Sequence, residues 1–263
     1  MLLENKVAVV YGSGGAVGSA VAKEFAREGA RVFLTGRSPN NVDAVAKEIV
    51  AARGRAESAV VDALDESAIE DHLVSVIKTA GKIDITFNAI GIPQNGIQGV
   101  PIGMLPVDSF MAPLATYSRS HFLTARAAAR LMTEKGSGVI LMHTPEPARW
   151  GATLVGGMGP AWAAMEGLNR GLSAEFGPQG IRSVVIRSNG LIETDTIDVV
   201  FDLHSAAMGI TREQFQSFIQ NLTHRKRTTT VAEVANAAAW LASDRASGIT
   251  GAVVNLTGGL LVD

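Results

Sequence analysis

Val7-Ala-Val-Val-Tyr11, Gly12-Ser-Gly-Gly-Ala-Val-Gly18 and the helical run from Ser19 onward open this chain as a strand, a glycine-rich turn and a helix. Gly12 permits the tight turn after the strand, Gly14 lets the backbone approach a pyrophosphate, and Gly18 lets the helix pack closely on the sheet. The helix N-terminus then presents unpaired N–H groups and a positive dipole end to an anion. A lone glycine run carries little weight. Placed between a strand and a helix at the head of an alternating chain, it reads as a dinucleotide cradle.

Beyond the cradle, β-rich runs at Val7 to Tyr11, Arg31 to Thr35, Ala56 to Val61, Ile83 to Asn88, Val139 to Thr144, Ser183 to Arg187 and Ala252 to Leu256 alternate with helical patterns. The helices are expected over Ser19 to Arg27, Val42 to Ala52, Ser67 to Thr79, Ser118 to Thr133, Ala161 to Phe176 and Ala232 to Ala242. Such alternation predicts an α/β Rossmann fold, a doubly wound parallel sheet of about seven strands covered by helices on both faces. Two segments break the rhythm: Ile92 to Pro113, rich in Gly and Pro, and Thr194 to Thr229. Both emerge where ligand crevices of open α/β sheets lie, beyond the carboxyl ends of strands. The second, 194–229, is expected to form a substrate lid. Its Phe201, Leu203, Met208, Phe215, Phe218 and Ile219 either line a hydrophobic substrate or simply anchor the lid's own helices, the second being the preferred reading.

The 263 residues suit one α/β domain spanning 1–263. Hydrophobic residues make up 47% and charged ones 18%, which implies an extensive buried sheet rather than disorder. A formal net charge of −2 gives no footprint for nucleic acid, and the short basic cluster His224-Arg-Lys-Arg227 reads as a solvated loop. With no cysteine there is no disulfide, thiolate metal site or cysteine nucleophile. No signal peptide or bilayer-spanning apolar run is visible, so a cytoplasmic protein without membrane contact is expected.

These motifs, in this order, resemble the short-chain dehydrogenase/reductase family over nearly the whole chain. The glycine turn departs mildly from the family's Gly-x-x-x-Gly-x-Gly, with Ala16 at the middle glycine. Asp62, followed by Ala63, matches the family's adenine-binding aspartate. Asn88-Ala-Ile-Gly91 matches its Asn-Asn-Ala-Gly segment with the second Asn lost. Asp62 and Asn88 could equally be turn caps. Asn189-Gly190 stands for the family's Pro-Gly, Thr194 for the threonine that contacts the nicotinamide amide, and Thr250-Gly251 and Thr257-Gly-Gly259 resemble its closing motifs. With Ser13 and Val17 of the turn, these positions form the implied cofactor site. NAD-preferring relatives carry an acidic residue after the second strand. Leu34-Thr-Gly-Arg-Ser38 has none, so Arg37 points to a 2′-phosphate and to NADP(H) over NAD(H).

The family's catalytic Tyr-x-x-x-Lys is missing. Trp162-Ala-Ala-Met-Glu-Gly-Leu168 fits the family's Lys-Ala-Ala-x-Glu-Gly-Leu without a gap, which puts Trp162 at the lysine and Met158 at the tyrosine. Methionine has no exchangeable proton and indole is no cation. Gly136-Ser-Gly-Val-Ile-Leu-Met-His-Thr144 parallels the strand ending at the catalytic serine, which assigns that role to Thr144. Counting back from Phe122 and Arg126 puts Tyr117 at the asparagine. Tyr117 is the sharpest replacement proton donor, with core packing as its alternative. His143 is expected to point away from the site if Thr144 points in, since strand residues alternate. Glu146, Arg149 and Glu193 are further crevice candidates, although Glu146 and Arg149 could merely pair with each other.

Two functions follow. One is an NADP(H)-dependent oxidoreductase with a rearranged acid, acting on a small hydrophobic carbonyl or alkene substrate. The other is a cofactor-binding pseudoenzyme, a sensor or non-catalytic subunit. The resemblance also implies a homodimer or homotetramer, paired through the helices that begin at Ser118 and Ala161. Ala125, Ala128, Ala129, Ala163, Ala164, Leu168 and Leu172 would supply the small apolar surfaces.

Overall fold

A computed structural model describes residues 1–262. Seven strands, β1 (Val7–Tyr11), β2 (Arg31–Gly36), β3 (Arg55–Val60), β4 (Ile85–Asn88), β5 (Gly138–Pro145), β6 (Ile181–Ser188) and β7 (Val253–Leu256), form one parallel sheet in the order β3-β2-β1-β4-β5-β6-β7. Eight α-helices cover it: α1 (Ala16–Arg27), α2 (Pro39–Ala51), α3 (Glu66–Ala80), α4 (Val107–Lys135), α5 (Met158–Phe176), α6 (Asp195–Met208), α7 (Arg212–Leu222) and α8 (Val231–Ala242). All seven predicted strands are present, each within two residues of its expected bounds.

Burial on both faces explains why the central strands read as unbroken apolar runs. Along β1, Ala8 and Val10 join a core with Val21 and Phe25 of α1 and Leu241 of α8. Val9 and Tyr11 point to the other face and join Leu73 of α3, Leu123 of α4 and Met165 of α5. The chain turns back between β1 and β4, so the connections from these two strands leave in opposite directions and open a crevice at their carboxyl ends. Tyr11, the last residue of β1, is level with Thr35 of β2 and Asn88 of β4, which places the glycine turn at that crevice.

One sequence expectation is corrected by the helices. The irregular stretch expected up to Pro113 ends earlier, because α4 begins at Val107 and carries Pro113 in its second turn. The segment 194–229 holds the helices α6 and α7, and Thr194 and Thr211 cap them by accepting the N–H groups of Ile197 and Gln214. Phe201, Phe215 and Ile219 form a small cluster that anchors the lid helices, and the same residues also line a cleft. Ala125, Ala128, Ala129 and Leu172 are buried within the chain and are not free pairing surface, whereas Ala163 and Ala164 are exposed.

Candidate active site

The glycine turn is held by contacts that exclude a side chain. Gly12 has φ +71°, and a Cβ there would lie 2.6 Å from the carbonyl oxygen of Ala89. A Cβ on Gly18 would lie 2.4 Å from the carbonyl oxygen of Gly12, so the first turn of α1 rests directly on the loop. Gly15, at the N-cap of α1, offers no capping side chain, which leaves the first N–H groups of that helix open to the crevice. Ser13 belongs to the scaffold: its backbone N–H and its hydroxyl both donate to the carbonyl of Thr35, at 3.0 and 3.1 Å. Neither Ser13 nor Gly18 reaches the cleft wall, whereas Gly12, Gly14 and Val17 do.

From this turn a cleft of about 1040 Å³ runs across the strand ends. At one end it is bounded by Arg37, Ser38, Asn41, Asp62 and Ala63. Arg37 is exposed and makes no ion pair among the described residues, and Ser38 begins α2 without using its hydroxyl as a cap. Asp62 accepts the N–H of Leu64 at 3.0 Å and Asn88 accepts that of Ile90 at 3.1 Å, so both are turn caps as well as wall residues. The Asn88 amide also donates to Ser120 and Thr124, each at 3.0 Å, which fixes α4 against the end of β4.

Tyr117, Met158 and Trp162 converge at the opposite end, all buried and all in the wall. The Tyr117 and Trp162 ring centroids are 6.4 Å apart. Burial pushes the Tyr117 phenol up to about 12, with Trp162 and the Ile92 backbone acting in the other sense. Gly91 and Thr194 complete this end, Thr194 donating its hydroxyl to the carbonyl of Leu191.

The phase of β5 is opposite to the sequence expectation. Thr144 is fully buried and donates its hydroxyl to Glu166 at 3.1 Å. Glu166 in turn holds Arg187 through two hydrogen bonds of 2.8 and 2.6 Å inside the α5 side of the sheet. Thr144 is therefore a partner of a buried ion pair and does not reach the cleft. His143 and Pro145 face the cleft instead, with His143 Nε2 2.8 Å from the Ser188 hydroxyl. Burial, then repulsion from His121, brings His143 down to about 4. Glu146 lines the same end, and burial lifts its carboxyl to about 7. Arg149 and Glu193 stay outside the wall, and Glu193 accepts the N–H of Val231 at 2.7 Å.

Several wall residues escaped the sequence reading. His121 lies one turn beyond Tyr117 on α4, and the i,i+4 spacing could have revealed it. Its Nδ1 is 3.0 Å from the Tyr117 carbonyl. The lid side contributes a directed chain: His204 Nε2 donates to Gln98 (3.0 Å), Gln98 to Gln94 (2.7 Å), and Gln94 to the carbonyl of Ile92 (2.6 Å). Each direction follows from the last acceptor, since a carbonyl oxygen cannot donate. No pattern in the sequence pairs a lid histidine with a loop glutamine 106 residues away.

The arrangement matches known proteins along its length. The family model described as enoyl-(acyl carrier protein) reductase matches residues 13–261. An uncharacterized oxidoreductase of Bacillus subtilis (strain 168), YxbG, is 32% identical over 260 residues, covering 98% of this chain and 92% of that protein. Among solved structures, sorbitol-6-phosphate 2-dehydrogenase of Erwinia amylovora superposes with a TM-score of 0.91 at 25% identity, over 97% of this chain and all of that one (100%). A 7α-hydroxysteroid dehydrogenase complexed with NADH and 7-oxo glycochenodeoxycholic acid gives a TM-score of 0.86 at 26% identity, covering 98% of this chain and 94% of that one.

Proposed function

Because the chain belongs to the short-chain dehydrogenase/reductase family, we propose that this oxidoreductase uses NADP(H) in a non-standard active site and acts on a hydrophobic carbonyl or alkene substrate. The observation that carries the cofactor reading is the corner beside the glycine turn. Arg37, Ser38 and Asn41 meet there where α2 begins, and the Asp62 carboxylate at the same end is engaged by the N–H of Leu64. The glycine turn fits the rest of a dinucleotide, since its backbone approaches without side chains and the open N–H groups of α1 face the crevice. Bound NADP(H) would supply or accept the hydride.

At the other end the chain's own residues set the protonation. The Tyr117 phenol stays protonated through neutral pH, because burial disfavours the phenolate, and it is the hydroxyl we assign to a substrate oxygen. Thr144 is dropped from this role, its proton being committed to Glu166. Phe201, Phe215 and Trp150 in the wall suit an apolar substrate body. Exposed Ala163 and Ala164 on α5 leave room for the two-fold helix pairing of a homo-oligomer, which remains part of the proposal.

Calorimetric titration of NADPH and NADH into wild type and Arg37→Ala tests the cofactor reading. NADPH is expected to bind the more tightly and to lose about tenfold in the variant, the worth of one charge-assisted contact. Equal affinity for the two nucleotides removes the preference. A second reading, cofactor binding without turnover, is favoured by one observation: Arg37 is the only lysine or arginine among the described residues of the cleft wall, and it sits far from Met158 and Trp162. NADPH consumption across a carbonyl panel, lost in Tyr117→Phe, separates the two readings.

A further inference from the structure

At the Tyr117 end, the cleft wall holds one carboxyl without a counter-charge. Glu146 is 8% exposed and lines the cleft, and the one polar group that acts on its carboxyl is its own backbone N–H. A single N–H cannot satisfy both oxygens of a carboxylate. Among the described residues, none of the side-chain atoms that are sealed from solvent without a partner belongs to Glu146. At least one of its oxygens is therefore open to the cleft. A carboxylate withdrawn from water is ordinarily paired, and here the partner is missing from the chain.

Local packing fixes where this carboxyl stands. Glu146 opens the turn that follows β5, and its carbonyl accepts the N–H of Trp150 at 3.0 Å. A Cβ on Gly159 would lie 3.1 Å from the Pro147 carbonyl oxygen, so the turn rests on the start of α5 beside Met158. Trp150 joins Trp162 and Tyr117 in the same wall, and the faces of such rings carry partial negative charge that favours a cation. The chain places no cation of its own among them. Arg37, the only lysine or arginine among the described residues of the wall, follows β2, three strand intervals from β5 and roughly 14 Å across the sheet. Burial brings His121 and His143 down to about 4, so both are neutral at pH 7. His204 of the lid is lowered by burial as well, and its Nε2 is committed to Gln98.

Resting on the reading of this cleft as the substrate site of an NADP(H) oxidoreductase, we propose that the Glu146 carboxylate binds a cationic nitrogen on an apolar substrate. The substrate class narrows to a carbonyl or alkene compound that carries a protonated or quaternary amine. Burial supports this by lifting the carboxyl to about 7: the unpaired carboxylate is costly, and a bound ammonium supplies the charge that makes it favourable. The Tyr117 phenol, protonated through neutral pH, is left to the substrate oxygen.

The test uses benzyltrimethylammonium, whose charge does not titrate, and benzyl alcohol, which keeps the ring without the charge. Calorimetry on wild type is expected to find the cation bound about tenfold more tightly than the alcohol, and Glu146→Gln is expected to lose that tenfold with benzyl alcohol and NADPH affinities unchanged. The pH dependence of wild type gives a measurement independent of variant folding. Around a carboxyl value of about 7, ionisation rises from about a tenth to about nine tenths between pH 6 and pH 8, so affinity for the cation should rise about tenfold over that range. Cation and alcohol bound alike, a Glu146→Gln variant that keeps full affinity for the cation, or an affinity flat from pH 6 to 8 overturns the proposal. Wild type that binds the cation as expected but neither NADPH nor NADH overturns the cofactor reading instead, which is a separate failure.

Discussion

One methyl group measures how tightly the cofactor turn is built. Gly18→Ala would set a Cβ 2.4 Å from the Gly12 carbonyl and 2.9 Å from Ser13 Cα, both backbone atoms that cannot swing aside. The variant is expected to lose about 1–3 kcal/mol of stability and most nucleotide affinity, read by thermal unfolding and calorimetry. Thr144 gives the opposite signature. Thr144→Val removes a hydrogen bond to the buried Glu166 carboxylate, so stability should fall by about 1.5–3 kcal/mol while NADP⁺ affinity stays unchanged. A drop in affinity with full stability would return Thr144 to the site. The sequence could not have set this phase. Val139 to Met142 are buried whichever face they point to, so β5 shows no polar alternation from which to choose between Thr144 and its neighbours. The glycine turn was legible because its residues obey local rules; Tyr117, Met158 and Trp162 were found only through their match to the family's catalytic positions, and the packing of α4 against α5 puts them in one wall.

Among the elements, α4 was read as eleven residues too short at its start, Ser118 against Val107. Pro113 argues against helix from sequence, since proline removes a backbone donor, but within the second turn the loss is confined near an end where several donors lack partners anyway. The lid helices were legible as apolar content without position, because the His204–Gln98–Gln94 chain that fixes α6 joins residues remote in sequence. Side-chain chains of this kind are vulnerable to a missing member, which strands the buried partners that remain. His204→Leu is expected to leave the sheet intact while speeding amide exchange across 195–222 by about tenfold or more, an opening cost lowered by one buried hydrogen bond. Exchange unchanged there would mean that the Phe201, Phe215 and Ile219 cluster holds the lid alone.

At the scale of the whole molecule, packing against the sheet buries titratable groups both in the cleft wall and, at His72 on α3, outside it, and this sets a pH dependence of stability. Burial brings His72, His121 and His143 down to about 4 in the folded protein, against about 6.5 for an unfolded histidine. Between those values the unfolded chain binds more protons, so each group's contribution is present above pH ~6.5 and is lost as pH falls toward 4, by roughly 3 kcal/mol at most. Glu146 runs the other way. Its folded value of about 7 lies above the unfolded carboxyl value, so it favours the folded state at acid pH and loses that contribution as pH rises through 7. Three lowered histidines outweigh one raised carboxyl, and the melting temperature is expected to fall steeply between pH 6.5 and 4.5. Glu146→Gln should separate the two effects: it removes the cost of ionising a buried carboxylate, raising the melting temperature at pH 8, and it takes away the acid-side compensation, steepening the fall below pH 6.5. Calorimetric melting of both proteins from pH 4.5 to 8 reads this directly. A variant curve parallel to wild type would place the Glu146 carboxyl in water rather than in the wall of the cleft.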